Sequence, residues 1–555
     1  MTSNARRAIA AWRMRFGVRV RLGWRDAKRY AAPRCLYAAL LMASLFLTAG
    51  CMTGSECKRP VAVVPEQWSV ARADGEADGP KLDTEWWKSF QDPILDSLVA
   101  RGFEGNLDLR VMQSRVREAR AARGVAASGL WPSLNLSGGY ARTQSAAPQN
   151  QSGGSPLTAT GSFGPAGFTP TFTLRGDSFT VSRSGLGENA VTNLTVTTAG
   201  QSGINRQSDL FRAGFDARWE LDLFGGTRRS IEAAEADVQA VRERLRASAL
   251  SLAAEIAANY IELRAAQNRL DVTQRTLEAL AKTEAIMQDR FQAGLTSELD
   301  VVTAHAHWAS TQAQLPIFHT QITAAIHRLA LLLGHEPGAL KTELSIPAPL
   351  PTAPGAVPIG LPSDLLRRRP DIRQAERQVA AATARVGVAM AELFPKFTLT
   401  AGVSGQSATL GSLASGANRM WSFGPGISWP IFRGGEIRAN IETQNARQEQ
   451  AAIVYEQTIL VALGDVENSL AAFANEQIRI DSLRASVETS ERAFRIANER
   501  YLHGLEGYLS VLQAQQNLYA AQDQLIQSRS FALTDLVSLY KSLGGGWERA
   551  VPEPE

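Results

Sequence analysis

At 555 residues, with 45% hydrophobic and 20% charged side chains, the chain has the composition of a folded protein with room for more than one structural unit. Its formal charge of +4 belongs to the leader: residues 1–34 hold ten Lys/Arg and one Asp, whereas from Cys51 onward 48 Lys/Arg face 53 Asp/Glu, a net of −5. The body therefore offers no electrostatic case for nucleic acid, and with only Cys35, Cys51 and Cys57 no disulfide framework is expected.

Residues 1–50 read as a signal peptide of the lipoprotein type. A basic stretch ends at Arg34, the uncharged run CLYAALLMASLFLTA fills 35–49, and Gly50-Cys51 comes directly after it. Fifteen apolar residues fall short of the roughly 20 that a membrane-spanning helix needs. The arrangement resembles a signal cut before a lipidated cysteine, which makes Cys51 the expected lipidation site. Three positions before it stands Thr48, where such signals usually carry Leu, so a plain signal peptide is the alternative reading. Met14 is an alternative start. No later segment is apolar for 18 residues, so membrane residence would rest on acyl chains or a β-barrel.

From there the expected elements run in order. Residues 51–130 form an N-terminal lipidated segment and the first helices, and 131–223 a first β-hairpin. That hairpin is interrupted at about 145–205 by a Gly/Ser/Thr-rich exposed loop. Its return strand, FRAGFDARWELDL (211–223), alternates apolar and mostly charged residues with period two. Residues 224–345 form a long helical hairpin: 227–293 contain no Gly or Pro, and such a helix reaches on the order of 100 Å. Pro316 is expected to kink the helix that returns from Gly294-Leu295. A linker and helix (346–393), a second β-hairpin (394–432), a second long helical hairpin (433–543) turning at Gly504-Leu505, and a C-terminal tail (544–555) complete the chain. Alternation in the second hairpin runs through Trp421, Phe423, Pro425, Ile427, Trp429 and Ile431. Helices of this length without caps point to coiled-coil packing.

The order repeats because the chain is duplicated. Residues 108–139 align without gaps on 371–402, with twelve of thirty-two positions identical, Gly124/Gly387 and Pro132/Pro395 among them, at an offset of 263. Residues 290–304 match 500–514 at an offset of 210, and the difference of 53 is the insertion between Pro132 and Trp219. The expected fold class is mainly α with a membrane β-barrel portion of four strands per protomer. Bacterial membrane barrels have at least about 8 strands and tolerate no open edge in lipid. Identical protomers must then pool strands, and a trimer gives a 12-stranded barrel.

EWWKSFQDPILDSLV (85–99), WELDLFGG (219–226), LPSDLLRRRPDIRQAE (361–376) and LYKSLGGGW (539–547) occur in this order on the duplicated frame. Together they resemble the outer membrane factor family (TolC/OprM-like), in its nodulation and efflux lipoprotein branch. The resemblance covers nearly the whole mature chain. It implies a homotrimer in the outer-membrane lipid, with a periplasmic α-barrel. The trimer would serve as a passive conduit for small molecules (drugs, toxic compounds or metals) delivered by a periplasmic adaptor and an inner-membrane pump. The pump is expected to be of the RND type, with ABC or MFS pumps as alternatives. The resemblance places adaptor-contact turns at Arg290, Phe291, Gly294 and Leu295 and at Arg500, Tyr501, Gly504 and Leu505. It places a periplasmic aperture at Leu509, Gln513, Leu299 and Asp300. Several relatives carry an acid where this chain has Gln513, so Asp300 stands as the alternative source of a carboxylate ring. The same Gly and Leu residues also suit an ordinary helical turn.

No P-loop, G-x-S-x-G or CxxC pair is present. His305 and His307 stand two residues apart on a helix and cannot share a metal. Gly544–Gly546 reads as a helix stop. No enzyme activity and no cofactor are expected. Two rival readings stay open: the outer-membrane duct of a type I protein secretion system, and a structural coiled-coil envelope protein or adhesin.

Overall fold

The computed structural model describes residues 52–56, 64–69, 76–77, 84–144, 178–184, 191–197, 207–354, 357–358 and 361–548. The expected leader, Cys51 and most of the C-terminal tail lie outside the described residues. Two compact units share the chain: residues 131–221 with 397–427, and the remainder.

The smaller unit is a sheet. Strands β1 (Ser133–Gln144), β4 (Gln207–Leu221), β5 (Lys396–Ser407) and β6 (Arg419–Ser428) lie in the order β1-β4-β5-β6. The register brings like side chains together. Leu134 faces Ala217, Leu136 faces Phe215 and Tyr140 faces Phe211, while Phe215, Trp219 and Leu221 continue onto Val403, Leu399 and Phe397. Because strand side chains alternate, the other face collects Asn135, Arg212, Asp216, Arg218, Glu220, Thr398 and Thr400. There Asn135 donates to Asp216 at 3.1 Å, and the Thr400 hydroxyl to the Gly424 carbonyl at 3.3 Å. The apolar face lies uncovered, with Leu136 70% and Trp421 80% exposed. At its end Arg142 pairs with Asp209 at 3.3 Å, which also accepts from the Tyr140 hydroxyl at 2.7 Å.

Three details depart from the sequence reading. The return strand begins at Gln207, earlier than 211. The last strand stops at Ser428, before Trp429 and Ile431, because Pro430 lacks a ladder donor; Trp429 instead donates its indole N–H to the Leu393 carbonyl at 3.0 Å. The insertion, expected as a loop, carries an antiparallel pair, β2 (Ser178–Ser184) with β3 (Val191–Thr197), whose Val and Thr residues favour extended backbone.

The larger unit is helical. Helices α1 (Pro93–Gly105) and α2 (Leu107–Ser128) precede β1, and α3 (Gly226–Gln292), α4 (Glu298–Gln312) and α5 (Leu315–Leu332) follow β4. Helix α6 (Pro370–Ala391) precedes β5, and α7 (Glu436–Leu502) and α8 (Tyr508–Leu543) follow β6. The duplication is visible in the lengths: α2 and α6 are each 22 residues, β1 and β5 each 12, α3 and α7 each 67. The return from α3 is broken where Pro316 predicts, since Pro belongs in the first turn of a new helix. Asp92 caps α1 by accepting from the Ile94 and Leu95 amides, and Asn106 caps α2 through the Leu109 amide at 2.9 Å.

The core of this unit gathers α1, α3, α5, α6, α7 and α8 around Trp86, Trp87 and Phe90. Trp86 stacks on Tyr540, with ring centroids 5.2 Å apart, and Arg246 lies 4.5 Å over the Trp547 ring. Thus the widely separated strings EWWKSF and LYKSLGGGW form one contact, and α8 ends at Gly544 in the left-handed region, φ 80°. Arg369 braces the same region. Its buried guanidinium donates to Asp371 at 2.8 Å, to Asp465 at 3.0 Å and to the Ser542 carbonyl at 3.0 Å.

Candidate pore-end site at the helical turns

The two turns reverse the chain with one hydrogen-bond pattern. In the first, the Gly294 amide donates to the Phe291 carbonyl at 2.9 Å and the Leu295 amide to Arg290 at 2.8 Å. In the second, Gly504 donates to Tyr501 at 3.0 Å and Leu505 to Arg500 at 2.9 Å. Gly294 and Gly504 hold φ 72° and 70°, a region open to glycine and strained for a residue with a Cβ.

The turns differ at the start of their return helices. Ser297 caps α4, and Asp300 completes a capping box, its carboxylate accepting from the Ser297 amide at 3.2 Å and from the Thr296 and Ser297 hydroxyls, each at 2.7 Å. These donors hold the Asp300 carboxyl below the usual carboxylate range. The equivalent second-repeat positions are Gly507 and Ser510, so α8 starts without a side-chain cap.

Beneath the turns the two hairpins share a small core of Met287, Ala304, Ala497, Tyr501, Tyr508, Val511 and Leu512. Tyr501 is its centre. Its hydroxyl donates to the Met287 sulfur at 3.3 Å, the Arg290 guanidinium lies 4.8 Å from its ring, and Tyr508 meets it edge-on at 6.0 Å. Burial pushes the Tyr501 phenol up, and the Tyr508 phenol up to about 12. Of the residues expected here, then, the structure brings together buried Tyr501 and half-buried Arg290. Leu295, Leu299, Leu505 and Leu509 stand outside, each at least 67% exposed, with Phe291 at 44%. Gln513 is spent on Asn517, at 3.4 Å, and Arg500 on Glu506, at 3.3 Å. His305 meets Glu284 at 2.8 Å and His307 meets Gln516 at 2.8 Å, separate partners for separate helix faces. Sequence reading missed Ser297 and the Tyr508/Val511/Leu512 face. The signals were there: a Ser-x-x-Asp box, and apolar residues at helical spacings of three and four.

One consequence is measurable. A carboxylate whose folded pKa is depressed stabilises the fold above its unfolded value, about 3.9, and that contribution is lost as pH falls through the lower folded value. Protection of the first-turn amides of α4 against hydrogen exchange should therefore fall below pH ~4 in the native chain, in the window set by that depression. Ser297→Ala should weaken the same turn by about 1 kcal/mol at neutral pH. Protection indifferent to both changes would remove Asp300 from the cap.

A four-stranded sheet with one lipid-compatible face, joined to a duplicated set of long helical hairpins, is the fold of a TolC-like outer-membrane channel. The chain belongs to the outer membrane efflux protein family: the family pattern matches residues 102–335 and 361–545, one segment per repeat. It is 31% identical to the solvent efflux pump outer membrane protein SrpC of Pseudomonas putida, over 92% of this chain and 98% of that one. It is likewise 31% identical to the pyoverdine export outer membrane protein OpmQ of Pseudomonas aeruginosa, over 91% and 98%. Among solved structures, the outer-membrane channel OprN superposes with a TM-score of 0.73 at 32% identity, covering 90% of this chain and all of that one. The chain is thus an outer-membrane efflux channel component, a transport protein of a tripartite system.

Proposed function

We propose that three copies of this chain close into one passive duct, lipid-anchored at Cys51, that passes small organic molecules. A periplasmic adaptor and an inner-membrane pump of the RND type would deliver the cargo at the turns around Gly294 and Gly504. The single observation that carries the reading is the sheet whose outer strands, β1 and β6, each have one edge unpaired among the described residues, and whose apolar face is exposed. In lipid neither edge is tolerated, so β6 of one copy must meet β1 of the next. Adaptor contact fits the exposed leucines of the two turns, and an aperture fits Leu299, Asp300, Leu509 and Gln513 just beyond them. SrpC and OpmQ, named for solvent and pyoverdine, support small molecules as cargo.

The duplication also supplies the geometry of the seam. Within one chain α3 of the first repeat packs on α6 of the second, with Arg385 on Asp237 at 2.5 Å and Gly387 under Arg229. Carrying that seam one repeat onward sets α7 of one copy on α2 of the next. Both helices keep apolar residues in solvent for it, Val111 and Val125 on one and Leu460 and Val461 on the other. Gly387 and Arg229 map onto Gly124 and Ala439 at the offsets of 263 and 210. The doubly substituted chain, Gly124→Cys with Ala439→Cys, should oxidise to a covalent trimer that conducts ions in planar bilayers, whereas either single variant should not crosslink. Products that stop at a dimer, or a disulfide within one chain, would refute the arrangement.

A further inference from the structure

Two arginines, Arg228 and Arg229, occupy the first turn of α3, where the positive end of the helix dipole disfavours cations and where α7, its repeat, carries Glu436. Arg228 is accounted for by Asp222, at 3.3 Å. Arg229 is 96% buried. Its Nε donates to the Thr53 carbonyl at 3.0 Å, one terminal nitrogen to the Gly54 carbonyl at 3.2 Å, and the other to Glu232 at 2.6 Å.

The half-buried segment it grips has further contacts at Thr53 and Gly54. The Thr53 amide donates to the Phe224 carbonyl at 3.2 Å, and its hydroxyl donates there at 2.9 Å. Gly54 lies against Gly387 of α6 so closely that a Cβ on Gly54 would stand 2.8 Å from the Gly387 Cα. A Cβ on Gly387 would meet the Arg229 side chain at 3.0 Å, and one on Gly225 would meet the Met52 Cα at 3.1 Å. Arg229 has Ala439 as its counterpart in α7, so the guanidinium grip is built once per chain, where α3 of one repeat meets α6 of the other. The duplication alone does not account for it.

We propose that this seam is a docking seat for the amino-terminal anchor segment, with Arg229 as its positioning residue. It fixes the chain end just after Cys51 at the start of α3 and acts as a tether separate from any acyl chain. The role as an anchor segment rests on the lipidation reading of Cys51; the seat itself does not.

Hydrogen exchange on the full chain, extracted in detergent, tests the seat at the Thr53 amide. Native protein should protect it, Arg229→Ala should lose that protection about tenfold, and Arg229→Lys should keep part of it, since an ammonium is a point donor where the guanidinium spans two carbonyls. Amides 233–292 of α3 report whether the helix survives. If they too lose protection, Gly54→Ala is the second variant: its Cβ would stand 2.8 Å from the Gly387 Cα but 3.9 Å from the Arg229 Nε, so it unseats the segment without crowding the guanidinium. A Thr53 amide that exchanges freely in native protein, or is as protected in Arg229→Ala and Gly54→Ala as in native protein, overturns the proposal. Radiolabelled palmitate uptake by native chain and Cys51→Ser tests lipidation separately. An unlabelled native chain sinks the anchor role and leaves the Thr53 result standing.

Discussion

Phe215→Arg should empty the outer membrane of this protein, while Asp216→Arg, one residue further on, should leave its amount nearly unchanged. Phe215 lies mid-strand on the uncovered apolar face, between Leu136 and Val403, and is 54% exposed. Arginine on the lipid face near the bilayer centre costs about 2–4 kcal/mol. Three copies would multiply that to roughly 6–12 kcal/mol, comparable with the whole stability of an ordinary fold. Asp216 faces the other way, beside Asn135, where charge is already solvated. Quantifying the protein in outer-membrane fractions decides the matter. Equal loss from both substitutions would mean that the sheet's two faces are not lipid and water.

Leu509→Ala should open the closed channel. In the single chain Leu509 is 71% exposed at the start of α8, beside the small core centred on Tyr501. On the aperture reading proposed above, symmetry would bring three such leucines together and give their exposed surface a partner. If each truncation removes about 1 kcal/mol of closed-state contact, a modest share of a fully buried leucine's value, three remove about 3 kcal/mol. The open-to-closed ratio then rises roughly a hundredfold. Single-channel recording should show larger or more frequent openings, and cells should admit antibiotics that the native channel excludes. Because Tyr501, Tyr508 and Met287 remain in place, the hairpins should stay folded. Unchanged conductance together with unchanged antibiotic entry would end the assignment of Leu509 to the aperture.

Much of this architecture could be read from residues alone because its signals are periodic and repeated. Helices free of Gly and Pro over most of 67 positions, strands with strict alternation, and one block written twice leave little freedom for another fold. Local chemistry corrected the edges: Pro430 ended a strand that alternation alone would have carried to Ile431. The candidate site was legible only as a pair of turns. Gly294 and Gly504 marked where the chain reverses, but burial depends on partners far away in sequence. Tyr501 therefore resembled its exposed counterpart Phe291 until the first hairpin, with Met287 and Arg290, was in place. Arg229 was invisible for the same reason. What it holds lies 175 residues earlier in the chain.

The equal lengths of α3 and α7 constrain how such a molecule can change. Each residue added to a helix lengthens it by about 1.5 Å and rotates everything beyond it by about 100°. An insertion in one of the two long helices would shift its turn past the other and rotate Tyr501 or Met287 out of their shared contact. Viable lengthening must come in whole heptads or similar blocks and in both halves of the gene at once. A lineage reaching across a wider periplasm would carry twin insertions, one per repeat, at corresponding depths.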